Sequence, residues 1–270
     1  MEITIPWTND ITCYARQFPR NPKGQYQTER DGAVASATPK GGIEIGTLPV
    51  GSKVKLTVNG VGWDFLVVHQ GNPDAAMYDA SCDGTWLLMK DIYESRQWHS
   101  SNTNVLENST IQSYLNGTFL DLFDADIKAA IKQVKIPYRK NGGSGGTALI
   151  GANGLSCKIF LLSGYEVGFN QSINSYFPID GAKLDYFQLG NSSESTARSL
   201  RIAYLNGTAT YWWLRSPYTN NTGSAWGVYS DGGCSSSSCS FSYGVRPALI
   251  LNSNTLLLVE PNADGSYSLL

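Results

Sequence analysis

Residues 211–251 read YWWLRSPYTNNTGSAWGVYSDGGCSSSSCSFSYGVRPALIL. The two ends of this stretch are apolar and the middle is not. Trp212, Trp213 and Leu214 make a strand-length apolar run that Arg215 and Pro217 bring to an end. Val245, Ala248 and Ile250 lie in a second run, with Arg246 and Pro247 set into it. A guanidinium inside an apolar run needs partners, so Arg215 and Arg246 are expected to be hydrogen-bonded structural arginines and not ligand contacts. The serines between the runs have little apolar surface to bury, yet both flanks must pack. Variable polar chemistry on a fixed frame is how binding loops are built. The mixture of Tyr, Ser, Gly and Asn is also that of antibody paratopes, where Tyr supplies area at low entropy cost. The expected ligand-binding residues are Tyr218, Asn220, Asn221, Ser224, Trp226, Tyr229, Asp231, Ser235, Ser236, Ser237, Ser238, Ser240, Ser242 and Tyr243. Of these, Tyr218, Trp226, Tyr229 and Tyr243 are expected to stand exposed as one patch.

Working outward, Val54–Val58, Asn59-Gly60 and Val61–His69 predict a hairpin, because Asn-Gly supplies the positive φ angles of a type I′ turn. Thr85–Lys90 (TWLLMK) reads as a buried strand, and Lys158–Ser163 (KIFLLS) as another. A short helix is expected after a cap at Ser109 or Thr110, ending at Asn116-Gly117. A second helix is expected over Asp121–Val134, where Leu122, Ile127, Ala130, Ile131 and Val134 recur at helical spacing. Residues 141–154 (NGGSGGTALIGANG) read as a flexible loop, and Gly164–Ser199 as mostly irregular. Short strands return from Thr210 onward. Two helices followed by many short strands predict an α+β domain over residues 43–270. Residues 1–42 carry Pro19, Pro22, Gly24 and Gly32 without sustained periodicity, and are expected to form an extended arm for attachment or oligomerisation.

Composition narrows the function. The formal net charge is −2 and the basic residues are scattered, so nothing points to nucleic acid or an anionic membrane as partner. The N-terminus has neither a secretory signal pattern nor a membrane-spanning run, so the protein is expected to be made in a cytoplasm and to leave it, if at all, without a classical signal. Five cysteines, Cys13, Cys82, Cys157, Cys234 and Cys239, are an odd number with long spacings, which argues against a disulfide framework. Only two histidines are present, His69 and His99, which removes most routes to a zinc site or a Ser-His-Asp triad. No cofactor is expected.

Four segments in order, Ile111–Phe119, Ile159–Val167, Tyr211–Pro217 and Gly244–Leu251, resemble a domain family common in proteins of clostridia and their phages. That family is similar to the C-type lectin fold in its formylglycine-generating-enzyme-like branch. The specific part is the pair WLRSP and GVRPAL. The resemblance implies a C-type-lectin-like fold with two helices and short antiparallel sheets. Ser, Tyr, Asn, Asp, Gly, Cys, Thr and Phe can all arise from asparagine codons by changes at adenine. In this the chain resembles variable proteins of diversity-generating retroelements, with Tyr218–Tyr243 as the diversified surface. The arm, with Ala15–Pro19 and Asn21–Gly24, looks like leaders of phage structural proteins. Together these imply a non-catalytic tail adhesin on a virion, or alternatively a protein of a bacterial cell surface. The implied partners are a host-surface protein or glycan and, through the arm, other tail subunits, with a homotrimer as the implied assembly. The alternative is a copper-dependent oxidase of formylglycine-generating type using Cys234 and Cys239. Glu260-Pro261-Asn262 spells a calcium–sugar motif of lectins, but it lies after Trp7–Asp10 instead of before it, so the match is read as coincidence.

Overall fold

The computed structural model describes residues 41–189 and 194–270; the expected arm lies outside the described residues except at 41 and 42. Residues Ile43–Leu270 form one compact unit. The strands that carry it are β1 (Lys53–Val58), β2 (Val61–Gln70), β3 (Thr85–Met89), β4 (Glu94–Gln97), β5 (Ile159–Phe160), β6 (Trp212–Pro217), β7 (Ser224–Val228), β8 (Cys234–Ser238), β9 (Ser242–Val245), β10 (Ala248–Leu251) and β11 (Ser266–Ser268). They build a six-stranded sheet in the order β5-β10-β3-β2-β1-β11 and a five-stranded sheet in the order β8-β7-β6-β9-β4.

The α+β expectation is corrected by this architecture. Among the described residues 36% lie in strands and 17% in helices, so the domain is mostly β. Its α-helices are short: α1 (Thr110–Tyr114), α2 (Ala125–Ala130) and α3 (Glu194–Arg201). The expected helix over Asp121–Val134 shrinks to α2 because the chain then joins the sheet. Ile131 bridges to Leu251, and Lys132 N–H donates to Ile250 O at 2.9 Å. Ser109 does cap α1, accepting from Gln112 N–H. Asn116-Gly117 does not end that helix, which runs on as a wider turn over Leu115–Phe119. Asn116 is spent elsewhere: its Oδ1 accepts from Lys158 and Ile159 N–H and its Nδ2 donates to Ile159 O. Helix α3 falls in a segment expected to be irregular. Residues 141–154 are not a structureless loop either, since Thr147–Leu149 pairs with Tyr138–Lys140.

The hairpin forms as its turn requires, with Asn59 at φ 51° and Gly60 at φ 72°. Val54, Leu56 and Val58 face the core with no exposure. In β3 all five residues are buried, so the polar–apolar alternation of a half-buried strand is absent. The reason is that both faces of the six-stranded sheet are covered. Leu87, Met89, Leu249 and Leu251 belong to one apolar cluster, and Trp86, Leu88, Ala248 and Ile250 to the other.

The GVRPAL segment is where the chain changes sheets. Strand β9 belongs to the five-stranded sheet and β10 to the six-stranded one, and Arg246-Pro247 makes the crossing. Pro247 offers no N–H at a point where no ladder needs one, while its carbonyl accepts from Met89 N–H at 2.9 Å. Arg246 is buried, donating to Met89 O and Lys90 O, with its guanidinium 4.9 Å from the Trp212 ring centroid. Burial draws its pKa down to about 10, so it keeps its charge at neutral pH. Arg215 and Arg246 are both structural arginines, as the sequence led one to expect.

Trp213 is wholly buried in the five-stranded sheet and its indole N–H donates to Arg96 O at 2.9 Å. Trp213→Ala should therefore cost ~3–5 kcal/mol as a large core truncation. Ser236→Ala, on an edge strand, should stay within about 0.5 kcal/mol. Urea unfolding of the two variants checks this; equal midpoints would misplace the core.

Candidate ligand-binding face

Side chains alternate across a strand, and the pairing partners tell which share a face. Trp213 pairs with Gly227 and Gly227 with Ser235, while Tyr243 pairs with Arg96. Arg96, Tyr243, Tyr211, Gly227, Ser235 and Ser237 therefore lie along one face of the five-stranded sheet. Tyr211 packs over Gly227; a Cβ there would overlap the phenol ring. The missing side chain lets Tyr211 reach across β7, where its hydroxyl donates to Ser235 O at 3.1 Å beside the Ser237 hydroxyl. Burial pushes that phenol far above its ordinary range, so it stays a donor.

Tyr211 is the centre of an aromatic row. Its ring centroid is 4.1 Å from Tyr243 and 6.1 Å from Tyr229, and Tyr243 is 6.3 Å from Phe241. Tyr229 and Phe241 are 53% and 56% exposed, which makes them the outward tips of the row. Phe241 and Tyr211 were not among the expected site residues. Phe241 sits two residues before Tyr243, and that two-residue spacing on a strand was the available signal.

The expected residues do not form one patch. Trp226 is buried at 3% exposure, stacked on Phe177 at 3.9 Å, with its indole N–H on Tyr176 O. It points to the opposite face from Tyr211, which is the consequence of its even position in β7. Tyr218 packs on that same side, 5.0 Å from Trp226 and 5.1 Å from Tyr176. The serines also divide: Ser235 and Ser237 share the Tyr211 face, and Ser236 and Ser238 the other. Several expected contacts are engaged in holding loops. Asn221 Oδ1 accepts from Gly223 and Ser224 N–H, and its Nδ2 donates to Ser224 Oγ. Asp231 accepts from Gly233 N–H and pairs with Arg198 at 2.6 Å. Ser238 donates to Asn102 and contacts Ser240. Tyr229, Tyr243, Ser235, Ser237, Ser242 and exposed Asn220 remain for a ligand.

Cys234 and Cys239 pack in different surroundings. Cys239 is buried in the cluster under the Tyr211 face and Cys234 packs against the other cluster. Burial raises the Cys239 thiol to about 12, the reverse of a thiolate prepared for copper. Among the described residues no group of three or more His, Cys, Asp and Glu could hold a metal ion. None of their helices is long and apolar enough to cross a membrane.

The frame beneath the face is polar and buried. Asn104, 1% exposed, donates from Nδ2 to the carbonyls of Tyr218, Asn221 and Ser224 while its Oδ1 accepts from Gly143 N–H. One side chain thereby ties the 218–224 turn to the 141–146 turn. Arg215 makes a bidentate pair with Glu166 at 2.6 and 2.7 Å, both side chains being buried. Its Nη2 also donates to Asp180 O, and Asp180 Oδ2 accepts from Ser216. Asp180 Oδ1 has no hydrogen-bond partner among the described residues. Burial lifts this carboxyl to about 7, with Arg215 opposing the rise and Glu166 adding to it.

The family model described as Domain of unknown function (DUF6273) matches residues 83–253, and the chain belongs to that family. The match takes in the whole five-stranded sheet, strands β3, β5 and β10 of the six-stranded one, and the whole aromatic row. No curated protein and no solved structure matches the chain.

The Asp180 shift carries a sign. Its folded pKa lies above the unfolded value, so the stabilisation it confers is complete below about pH 4. It declines as pH rises and is gone above about pH 7. Asp180→Asn should flatten that decline, read as the difference between the two proteins' urea midpoints from pH 4 to pH 8. Parallel midpoint curves would show that Asp180 ionises normally.

Proposed function

We propose that this DUF6273 domain is a non-catalytic binding domain whose contact surface is the aromatic row on the five-stranded sheet. The observation that carries the reading is the juxtaposition of exposed Tyr229 and Phe241 with Tyr243 and Tyr211 on a wholly packed frame. Tyr and Trp dominate binding hot spots because they bring large area with few rotors. Half-buried Ser235 and Ser237 flank the row and offer hydrogen bonds at little cost in entropy. The buried Cys239 thiol, raised by desolvation, gives the oxidase alternative no support.

The sequence resemblance sets the context of this reading: a retroelement-diversified adhesin of a phage tail, recognising a host-surface protein or glycan. Within this reading, diversification falls on the outward positions of the row. Trp226 and Gly227 are committed to packing, Asn221 and Asp231 to their turns. Sequences of the same locus in sibling isolates should vary at Tyr229, Ser235, Ser237, Phe241 and Tyr243 and stay fixed at Trp226, Gly227 and Arg215. Uniform variation along residues 43–260 would contradict the proposal.

Binding itself is tested with the double variant Tyr229→Ala, Phe241→Ala. Both side chains are more than half exposed, so the melting temperature should move little. Adsorption of the purified protein to susceptible host cells should fall at least tenfold. Normal adsorption by the folded variant would place the binding surface elsewhere.

A further inference from the structure

The five-stranded sheet ends on two unlike edge strands, β4 and β8. An open edge offers unpaired N–H and C=O groups to another chain, and charge, proline or a bulge is the usual guard. Strand β4 carries the Glu94–Arg96 ion pair. Strand β8 reads CSSSS, with no charged residue and no proline, and its five residues are all half-buried. Its register with β7 runs unbroken from Ser224–Ser238 to Val228–Cys234, without a bulge.

Two bonds at the ends of this pairing fix its phase. Tyr229 N–H donates to Gly233 O at 2.7 Å, and Cys239 N–H to Gly223 O at 2.9 Å. Hydrogen-bonded pairs alternate along an antiparallel ladder, so Ser235 and Ser237 direct their backbone groups to Gly227 and Ala225. Ser236 and Ser238 turn theirs away from β7. The Ser238 carbonyl accepts from Phe241 N–H at 3.0 Å, which closes that end of the strand. The backbone N–H and C=O of Ser236, at the middle of the strand, meet no partner among the described residues.

We propose that β8 pairs with β8 of a second copy of this chain, antiparallel about a two-fold axis at Ser236. That axis sets Ser236 opposite Ser236, with their outward backbone groups bonded to each other. It also sets Cys234 opposite Ser238 and Ser235 opposite Ser237. The register is self-complementary: no charge faces a like charge, and small hydroxyl side chains meet across the seam, where they can hydrogen-bond. A two-fold pair is the commonest closed assembly, and it covers the open edge of both copies at once. The resemblance implies a homotrimer, which pairing through a single edge cannot build. The seam joins two five-stranded sheets into one of ten strands. Its axis stands perpendicular to the sheet, so both Tyr211 faces look the same way. The pairing does not depend on what the aromatic row binds; given the binding reading above, it presents two rows side by side, which adds avidity on a surface with repeated receptors. A five-residue seam buries less than the ~1,200 Å² at the lower end of stable specific interfaces, so the association is weak.

Sedimentation equilibrium of the purified chain is the test. The average mass should climb from one chain toward two between about 5 and about 500 µM, the range in which a weak dimer fills. Ser236→Pro deletes the outward N–H without touching the β7 ladder, and Ser236→Lys sets two ammonium groups against each other. Each should weaken the association at least about tenfold, while Ser236→Ala should leave it unchanged; urea midpoints confirm that the variants fold. The register has its own readout. Ser235→Cys and Ser237→Cys variants, mixed and mildly oxidised, should give a disulfide-linked pair that neither gives alone. Those two positions oppose each other only across the axis, as a non-hydrogen-bonded pair ~4.5 Å apart between Cα atoms. A chain that stays monomeric to about 500 µM would overturn the proposal and leave the edge to a strand of another protein. Association that the folded Ser236→Pro and Ser236→Lys variants retain, or cross-linking as strong in either cysteine variant alone, would overturn it too.

Discussion

The buried guanidinium of Arg215 is the constraint on which the rest depends. Besides pairing with Glu166 it donates to Pro137 O, Leu161 O and Asp180 O, while its own N–H reaches Leu162 O. It therefore joins β6, the middle strand of the five-stranded sheet, to the segment that leaves β5 of the six-stranded sheet. Burial works against its charge, but the Glu166 carboxylate outweighs that and holds the group firmly protonated. Removing one partner of such a pair costs about 3–5 kcal/mol, because the other is left charged and unpaired. Asp180 is accommodated beside the pair by being uncharged below about pH 7. The 163–182 segment is thereby pinned under the sheet, and it delivers Phe177 and Tyr176 to Trp226.

That pinning explains how so polar a segment as 218–243 is ordered. One face of β7 is committed to Trp226 and the core beneath it; the other is left bare at Gly227 and covered by Tyr211. Strand alternation then puts Trp226, Ser236 and Ser238 on one side and Gly227, Ser235 and Ser237 on the other, with Ala225 buried on that second side. The second side is aromatic at its tips and hydroxylic between them.

Much of the frame was legible in the sequence. The Asn59-Gly60 turn, the buried run at 85–89, the Ser109 cap and the two arginines set in apolar runs each follow from local chemistry. The helical content was overread because Ile127, Ile131 and Val134 keep helical spacing while the sheet claims Ile131 and Lys132. Helix α3 went unread inside a polar stretch. The candidate segment stands out by composition, but the facing of its residues does not. Serine carries no apolar pattern, so the strand β8 read as loop, and the alternation that separates Ser235 from Ser236 and Tyr229 from Trp226 was not applied. Arg96 lies more than a hundred residues away in sequence and meets Tyr243 only through sheet pairing, a long-range contact with no local signal.

The most direct measurement is amide hydrogen exchange on the protein bound to envelopes of susceptible host cells, compared with the free protein. The account predicts new protection in 229–243 and 94–97 alone, with the already slow amides around Glu166 and Arg215 unchanged. Protection confined to other surfaces of the domain, with 229–243 exchanging as in the free protein, would contradict it.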